Sequence, residues 1–279
     1  MRASDITALG LTRRLRARIT NWWWVVPLAW VVLRSPLRHA LSTTAMARLC
    51  VTVRLRVGLR VRCRLNEFIG VVEALVLDEY EIPGLDWSGV DSVLDIGANI
   101  GASALWFATR APHARVVAVE PAPAALQLLR ENIASNHLES RIDVVPVAVG
   151  GEPGWAALEL HGASVGTRVI PVAAERIGSV ALVSLGELIA NTNLEHIGVL
   201  KLDCEGAEFD ILLGAPNGVL DRVTRVIGEY HRFNGRDPDA LRSRLEAGGF
   251  AYSAEPHPRE PLLGKFTAWR RATSRLPSR

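Results

Sequence analysis

Val93-Leu94-Asp95-Ile96-Gly97-Ala98-Asn99-Ile100-Gly101 reads as a short apolar strand that carries an acid at its end, turns on glycine and passes into a helix. Open α/β sheets use this arrangement to bring backbone N–H groups and a helix N-terminus against a nucleotide-like ligand. Working outward, apolar strands fall at 92–96, 116–120, 142–149, 197–203, 225–231, 250–253 and 265–270. Helices fill 100–110, 124–136 and 207–213, and another opens at Asp237-Pro238 and stops at Gly248-Gly249. Serial βα units with right-handed crossovers predict an α/β fold with a mainly parallel, doubly wound sheet. Trp155 to Leu160 and Val180 to Val183 read as short extra strands between the third and fourth main ones.

Ligands of such sheets sit beyond the carboxyl ends of the strands, near the topological switch. That rule gathers Asp95 and Gly97 after the first strand, Glu120 after the second and Asp203 after the fourth. Gly97 permits a tight turn, and Gly101 permits close approach of the helix that follows. Glu120 ends Val116-Val117-Ala118-Val119-Glu120, where a carboxylate can accept hydrogen bonds from both hydroxyls of a ribose. The turn G-A-N-I-G lacks the additional glycine of G-x-G-x-x-G that admits a pyrophosphate, so an adenosyl ligand without one is preferred to NAD.

A second motif, Leu200-Lys201-Leu202-Asp203-Cys204-Glu205-Gly206-Ala207-Glu208, places acids where another strand stops. Glu205 and Glu208 are read as carboxylates that favour the positive start of the next helix, whereas Asp203 lies at the strand end itself. His231 is the one histidine expected at a strand end in the cleft, and its titration range suits a general base, with packing as the competing reading. His113, His137, His161 and His196 fall in expected surface loops and are given no role.

The chain has 279 residues, 49% hydrophobic and 22% charged, which suits one large α/β core and argues against disorder along its length. Cys50, Cys63 and Cys204 lack zinc-like spacing and leave one thiol over in any disulfide scheme, so a reducing compartment is expected. Charge is divided unevenly. Residues 1–65 hold 13 Arg against the single acid Asp5, a balance of +12, and residues 66–279 hold 19 Lys or Arg against 28 acids, a balance of −9.

Within the basic part, the uncharged run Trp22 to Leu33 would reach about 18 Å as a helix, short of the roughly 30 Å hydrocarbon core, and Pro27 interrupts it. Packing on protein is the preferred reading, with peripheral membrane contact as the alternative. Ala45-Met46-Ala47 resembles a cleavage site and Thr12-Arg13-Arg14 resembles an export signal, but arginines after the apolar run oppose export, and a cytoplasmic location is expected. From Val51 to Leu65 apolar and polar residues alternate, which predicts a strand bent or bulged at Gly58. Arg54, Arg56, Arg60, Arg62 and Arg64 would share a solvated face, and without interleaved aromatics no nucleic-acid partner is expected.

The motifs together resemble the FkbM-type S-adenosylmethionine-dependent methyltransferases over roughly residues 66–270. The resemblance rests on Leu94 to Gly101, Val119-Glu120-Pro121, Asn132 and Asn136, Val183 to Leu188, Leu200 to Glu208 and Glu229-Tyr230-His231. It implies a class I methyltransferase (Rossmann-like) fold with seven main strands, the last antiparallel, in a domain taken as 66–279; the basic Trp/Arg-rich extension at 1–65 lies outside the resemblance. It implies S-adenosylmethionine held by Asp95, Gly97, Asn99, Gly101 and Glu120, with Asp95 orienting the methionine moiety. It also implies transfer to a hydroxyl of a small molecule, a sugar or a polyketide-type metabolite, with Asp203, Glu229 and His231 as the catalytic candidates. The same three could hold Mg²⁺, although no ligand set is fixed. Gly186 stands where the family usually carries an acid. An NAD-dependent oxidoreductase and a non-catalytic, membrane-associated adenosyl-binding module are the competing functions. The acceptor and the oligomeric state are not legible.

Overall fold

In a computed structural model, which describes residues 8–21, 49–160, 167–258 and 260–271, the arginine-rich alternating stretch is a hairpin rather than one bent strand. β1 (Cys50–Arg54) pairs antiparallel with β2 (Arg60–Arg64), Arg54 facing Arg60, and the chain reverses through Leu55 to Leu59 with Gly58 at φ +95°. The register pairs even residues with even ones, so both arms keep their apolar side on one face; the pattern alone therefore could not separate one strand from two. Val53, Val61 and Cys63 are buried. Ahead of the hairpin, helix α1 (Ala8–Arg18) buries Leu11 and Leu15, with Ile19 just beyond it, in the same apolar cluster. The boundary expected at residue 65 thus crosses a shared core. The expectations for Trp22 to Leu33, Ala45-Met46-Ala47 and His161 lie outside the described residues.

The main sheet has the order β12-β13-β11-β10-β3-β4-β5. Its centre is β3 (Ser92–Ile96), β4 (Arg115–Val119) and β5 (Ile142–Val145) on one side, and β10 (Ile197–Leu202) and β11 (Val223–His231) on the other. These strands run parallel, while β13 (Leu263–Arg270) is antiparallel to both β11 and the edge strand β12 (Phe250–Pro256). β3 and β10 are buried at every position, because helices cover both faces and such strands read as continuous apolar runs. One face packs on α2 (Phe68–Val76), α3 (Ala102–Arg110) and α4 (Pro123–Ser135), and the other on α5 (Leu185–Asn191), α6 (Glu208–Gly214) and α7 (Pro238–Ala247). Pro123 and Pro238 occupy first-turn positions, where no N–H partner is missed.

The strand expected at 142–149 is two strands in two sheets. Pro146 cannot donate to a ladder, and past it β6 (Ala148–Gly150) joins β9 (Val180–Ser184), β7 (Gly154–Leu160) and β8 (Thr167–Val172) in a second sheet ordered β6-β9-β7-β8. β8 escapes sequence reading because Arg168 and Pro171 break its apolar pattern. At the end of β9, Ser184 and Glu187 form a capping box that starts α5. Gly186 follows in that first turn, where a β-carbon would lie 3.3 Å from Val219.

Two asparagines bind the hairpin to α4. The buried Asn132 side chain accepts from the Arg62 N–H (2.7 Å) and donates to the Arg62 carbonyl (2.9 Å), and one turn later Asn136 does the same to Arg60 at 2.8 and 2.7 Å. Positions i and i+4 on a helix thus meet i and i+2 on a strand, and the free edge of β2 is satisfied as a neighbouring strand would satisfy it. Asn132 also donates to the Ile100 carbonyl at 2.9 Å, within the glycine turn.

Candidate active site

The turn after β3 is held in a left-handed zigzag, with Gly97 at φ +79°, Asn99 at +48° and Gly101 at +90°. A β-carbon on Gly97 would lie 1.8 Å from the Asp203 carbonyl oxygen, and one on Gly101 would lie 2.6 Å from a Leu129 methyl. Gly97 therefore lets the two strand-end loops touch, while Gly101 lets α3 close on α4. Glu120, buried just past β4, accepts from the Asn99 N–H at 2.9 Å and the Ala122 N–H at 2.8 Å, one bond to each oxygen. An ionised carboxylate has about four acceptor positions, so Glu120 keeps capacity for two hydroxyls. Burial pushes its pKa up, opposed by those two N–H bonds.

Asp95 is enclosed rather than facing open space. It accepts from the Ser103 hydroxyl at 2.6 Å and pairs with Lys201 at 3.0 Å. Lys201, also buried, donates to the Gly97 carbonyl at 2.7 Å. Burial opposes its charge, but Asp95 and Asp203 outweigh that and hold the ammonium above the usual lysine range. Sequence reading passed over this residue. Its signal was present, since Lys201 is one of only two lysines and sits inside an apolar strand.

Past β10, Asp203 stands half-buried with its N–H on the Ile96 carbonyl at 3.2 Å. Glu205 and Gly206 follow in left-handed conformations. Glu208 opens α6 fully buried and accepts from the N–H groups of Cys204 (2.6 Å) and Gly206 (2.8 Å) and from His231 Nδ1 (3.1 Å). The helix-start reading of Glu208 therefore holds, with the addition that it seats His231. Glu205 lies 3.6 Å from His231 Nε2, and Phe233 stacks on the imidazole at 5.8 Å with the Arg168 guanidinium over its own ring at 4.8 Å. Burial alone would lower the His231 pKa, but Glu208, Asp203 and Glu205 push it up to about 10. These carboxylates favour the protonated imidazole, an influence that the titration range of a free histidine does not include.

Glu229 is set apart from this group. It lies 3.8 Å from Lys265, its cross-strand partner, and Lys265 also contacts Glu79 from the segment after α2. Burial, with Asp203 and Glu79 close by, pushes Glu229 up to about 8 against the pull of Lys265 and His231. Among the described residues, the three groups whose ligand atoms converge within 4.8 Å are Asp203, Glu208 and His231, not the trio with Glu229. They do not fit Mg²⁺ well, because both Glu208 oxygens already accept backbone N–H groups and Oε1 also holds the imidazole. Cys50, Cys63 and Cys204 are all free thiols.

The methyltransferase FkbM domain family matches residues 95–252, more than half of the chain. The AMB antimetabolite synthetase AmbE of Pseudomonas aeruginosa is 28% identical over 234 residues, 68% of this chain but only 11% of that protein. The 31-O-demethyl-FK506 methyltransferase FkbM of Streptomyces tacrolimicus is 28% identical over 205 residues, 63% of this chain and 78% of that one. The hexuronic acid methyltransferase AglP of Haloferax volcanii is 30% identical over 165 residues, 59% of this chain and 62% of its own length.

Proposed function

The chain belongs to the FkbM methyltransferase family, whose chemistry is S-adenosylmethionine-dependent methyl transfer, and from that premise we propose that it methylates a hydroxyl oxygen of a small molecule. The observation that carries this reading is the contact of the two strand-end loops, with Gly97 against the Asp203 carbonyl. It joins a turn suited to an adenosyl group to an acid suited to an acceptor. The residues present fit the cofactor: Glu120 retains acceptor positions for the ribose hydroxyls, and the Gly97–Gly101 turn offers backbone at close range. When bound, S-adenosylmethionine supplies a methyl group on a sulfonium, and the carbon–sulfur bond breaks as the oxygen–carbon bond forms, its electron pair staying on sulfur.

The protein's own part is to align the acceptor oxygen and exclude water. Asp203 takes the hydroxyl proton. His231, fixed by Glu208, lies beside Asp203, and the surrounding carboxylates favour its charged form. Glu229, whose pKa burial and Asp203 push up, can donate a hydrogen bond to the acceptor in its protonated form. Asp95 and Lys201 act from beneath, as supports of the turn. Residues 66–279 constitute the methyl-transfer domain in this reading, and 1–65 an extension docked on it, working in the cytoplasm where the cofactor is made.

Calorimetry with S-adenosylhomocysteine tests the cofactor half. Glu120→Ala should weaken binding by about 2–4 kcal/mol through two lost charge-assisted bonds, and unchanged affinity removes Glu120 from the ribose. Asp203→Asn should then lower the rate of labelled-methyl transfer by about 10²–10⁴ with cofactor affinity kept. A second reading concerns the hairpin, where Arg54 and Arg60 are exposed and Val57 at the tip is 65% exposed. These suit peripheral contact with anionic lipid. Sedimentation with anionic against neutral vesicles at low and high salt decides it. Among the described residues no helix is long and apolar enough to cross a membrane.

A further inference from the structure

The second sheet supplies none of the residues assigned to the cofactor, yet it builds a groove of about 590 Å³ against α6, within the range of small-molecule sites. One wall is Trp155, Val169, Pro171 and Leu182 from β7, β8 and β9, and the other is Ala207 and Leu213 on α6. Ala207, Asp210 and Leu213 recur every three residues and form one face of the helix. Its first residue, Glu208, turns the other way, into the core and onto His231. The groove therefore runs about 10 Å along α6, from the catalytic loop at Ala207 down to Gly214, where Gly151 closes the floor: a β-carbon on Gly214 would lie 2.8 Å from Gly151. At the upper end β8 reaches the site directly, with Arg168 over Phe233 and Phe233 against His231.

Resting on the methyl-transfer reading above, we propose that this groove holds the body of the acceptor and selects a largely apolar, uncharged one, a ring system or chain bearing the hydroxyl, in preference to a free acidic sugar. The polar groups of the groove support the choice. Asp210 is occupied by a two-pronged pair with Arg236 at 2.8 and 2.7 Å, and Glu152 would repel a second carboxylate. What remains for the ligand is mostly aliphatic and indole surface, bordered by the main chain of Gly150 to Gly154. A body seated there abuts Ala207, the residue just before the helix turn that fixes His231, and its hydroxyl end would pass that residue to reach the strand-end loops.

The test uses the full chain, methyl-labelled S-adenosylmethionine and a panel running from glucuronic acid through octyl glucoside to steroid and macrolactone alcohols. The apolar end should be methylated and free glucuronic acid left unmodified. On the best acceptor, Leu213→Asp and Val169→Asp should each raise KM at least tenfold, with saturating kcat and S-adenosylhomocysteine affinity within twofold of the parent. Leu213 is 47% exposed, so its substitution leaves the fold intact even if Val169→Asp does not. Methylation of glucuronic acid alone, methylation of no apolar alcohol, or a KM unmoved by Leu213→Asp overturns the assignment of the groove. Failure of the parent protein to bind S-adenosylhomocysteine overturns the methyl-transfer reading beneath it.

Discussion

The loops after β3 and β10 touch each other but are built on different principles. The first is shaped by backbone conformation, with left-handed residues at 97, 99 and 101 and little freedom to accept a side chain. The second is shaped by buried charge, with Glu208 gathering two backbone N–H groups and an imidazolium. A loop fixed by backbone can present its N–H groups to any cofactor of the right outline, whereas one fixed by charge carries a protonation state that pH can change.

The largest effect should come from the second loop. Glu208→Gln leaves the shape but strips the counter-charge from buried His231, and breaking a buried pair by removing one partner costs about 3–5 kcal/mol, read from denaturant unfolding at pH 7. The same experiment across pH carries a definite sign. The folded His231 pKa is raised above its unfolded value of about 6.5, so its contribution is complete below that pH and is lost as pH rises through about 10. The parent should lose stability across that window more steeply than Glu208→Gln. Equal slopes would break the contrast between the loops.

Next comes Gly97→Ala in the first loop, where overpacking against Asp203 and a left-handed alanine together should cost about 2–4 kcal/mol and weaken S-adenosylhomocysteine binding. Gly101→Ala meets only the movable end of Leu129, so the gap between the two alanines measures how far the loops depend on touching. Asn132→Ala should cost about 1–3 kcal/mol through unsatisfied backbone of Arg62 and Ile100. If binding weakens as well, the hairpin supports the first loop. The smallest effect belongs to Glu229→Gln. The Glu229 pKa is raised on folding, so its contribution is present below the usual glutamate range and lost as pH rises through about 8. The substitution should flatten the stability profile between about pH 5 and 8, with little change below that window.

Legibility from sequence follows the same division. Gly97 and Gly101 betray a backbone need that few residues meet, and Glu120 announces itself as an acid closing an apolar strand. The main-sheet strands were readable because burial on both faces forces continuous apolar runs. Glu208 could be placed only at a helix start, since its bond to His231 spans 23 residues and leaves no periodic trace. Lys201 looked like a charge on a strand until Asp95 was seen beneath it. Asn132 and Asn136 were visible as motif residues without a reason, because their partners are main-chain atoms of the hairpin, which no side-chain pattern reports. The groove was illegible for another cause: it is made where β8, unseen in the sequence, meets α6.

The asparagine clamp has a consequence for the order of events during synthesis. Asn132 reaches back 70 residues to Arg62, and Asn136 reaches back 76 to Arg60. At roughly 5–20 residues per second, β1 and β2 leave the ribosome about 4–14 s before the helix that receives them. Throughout that interval the main chain of Arg60 and Arg62 lacks the side chains that satisfy it. The order in which these segments are made is therefore the reverse of the order in which they can be secured. A stalled or truncated chain ending before Asn132 would display this unpaired strand edge to whatever binds nascent protein.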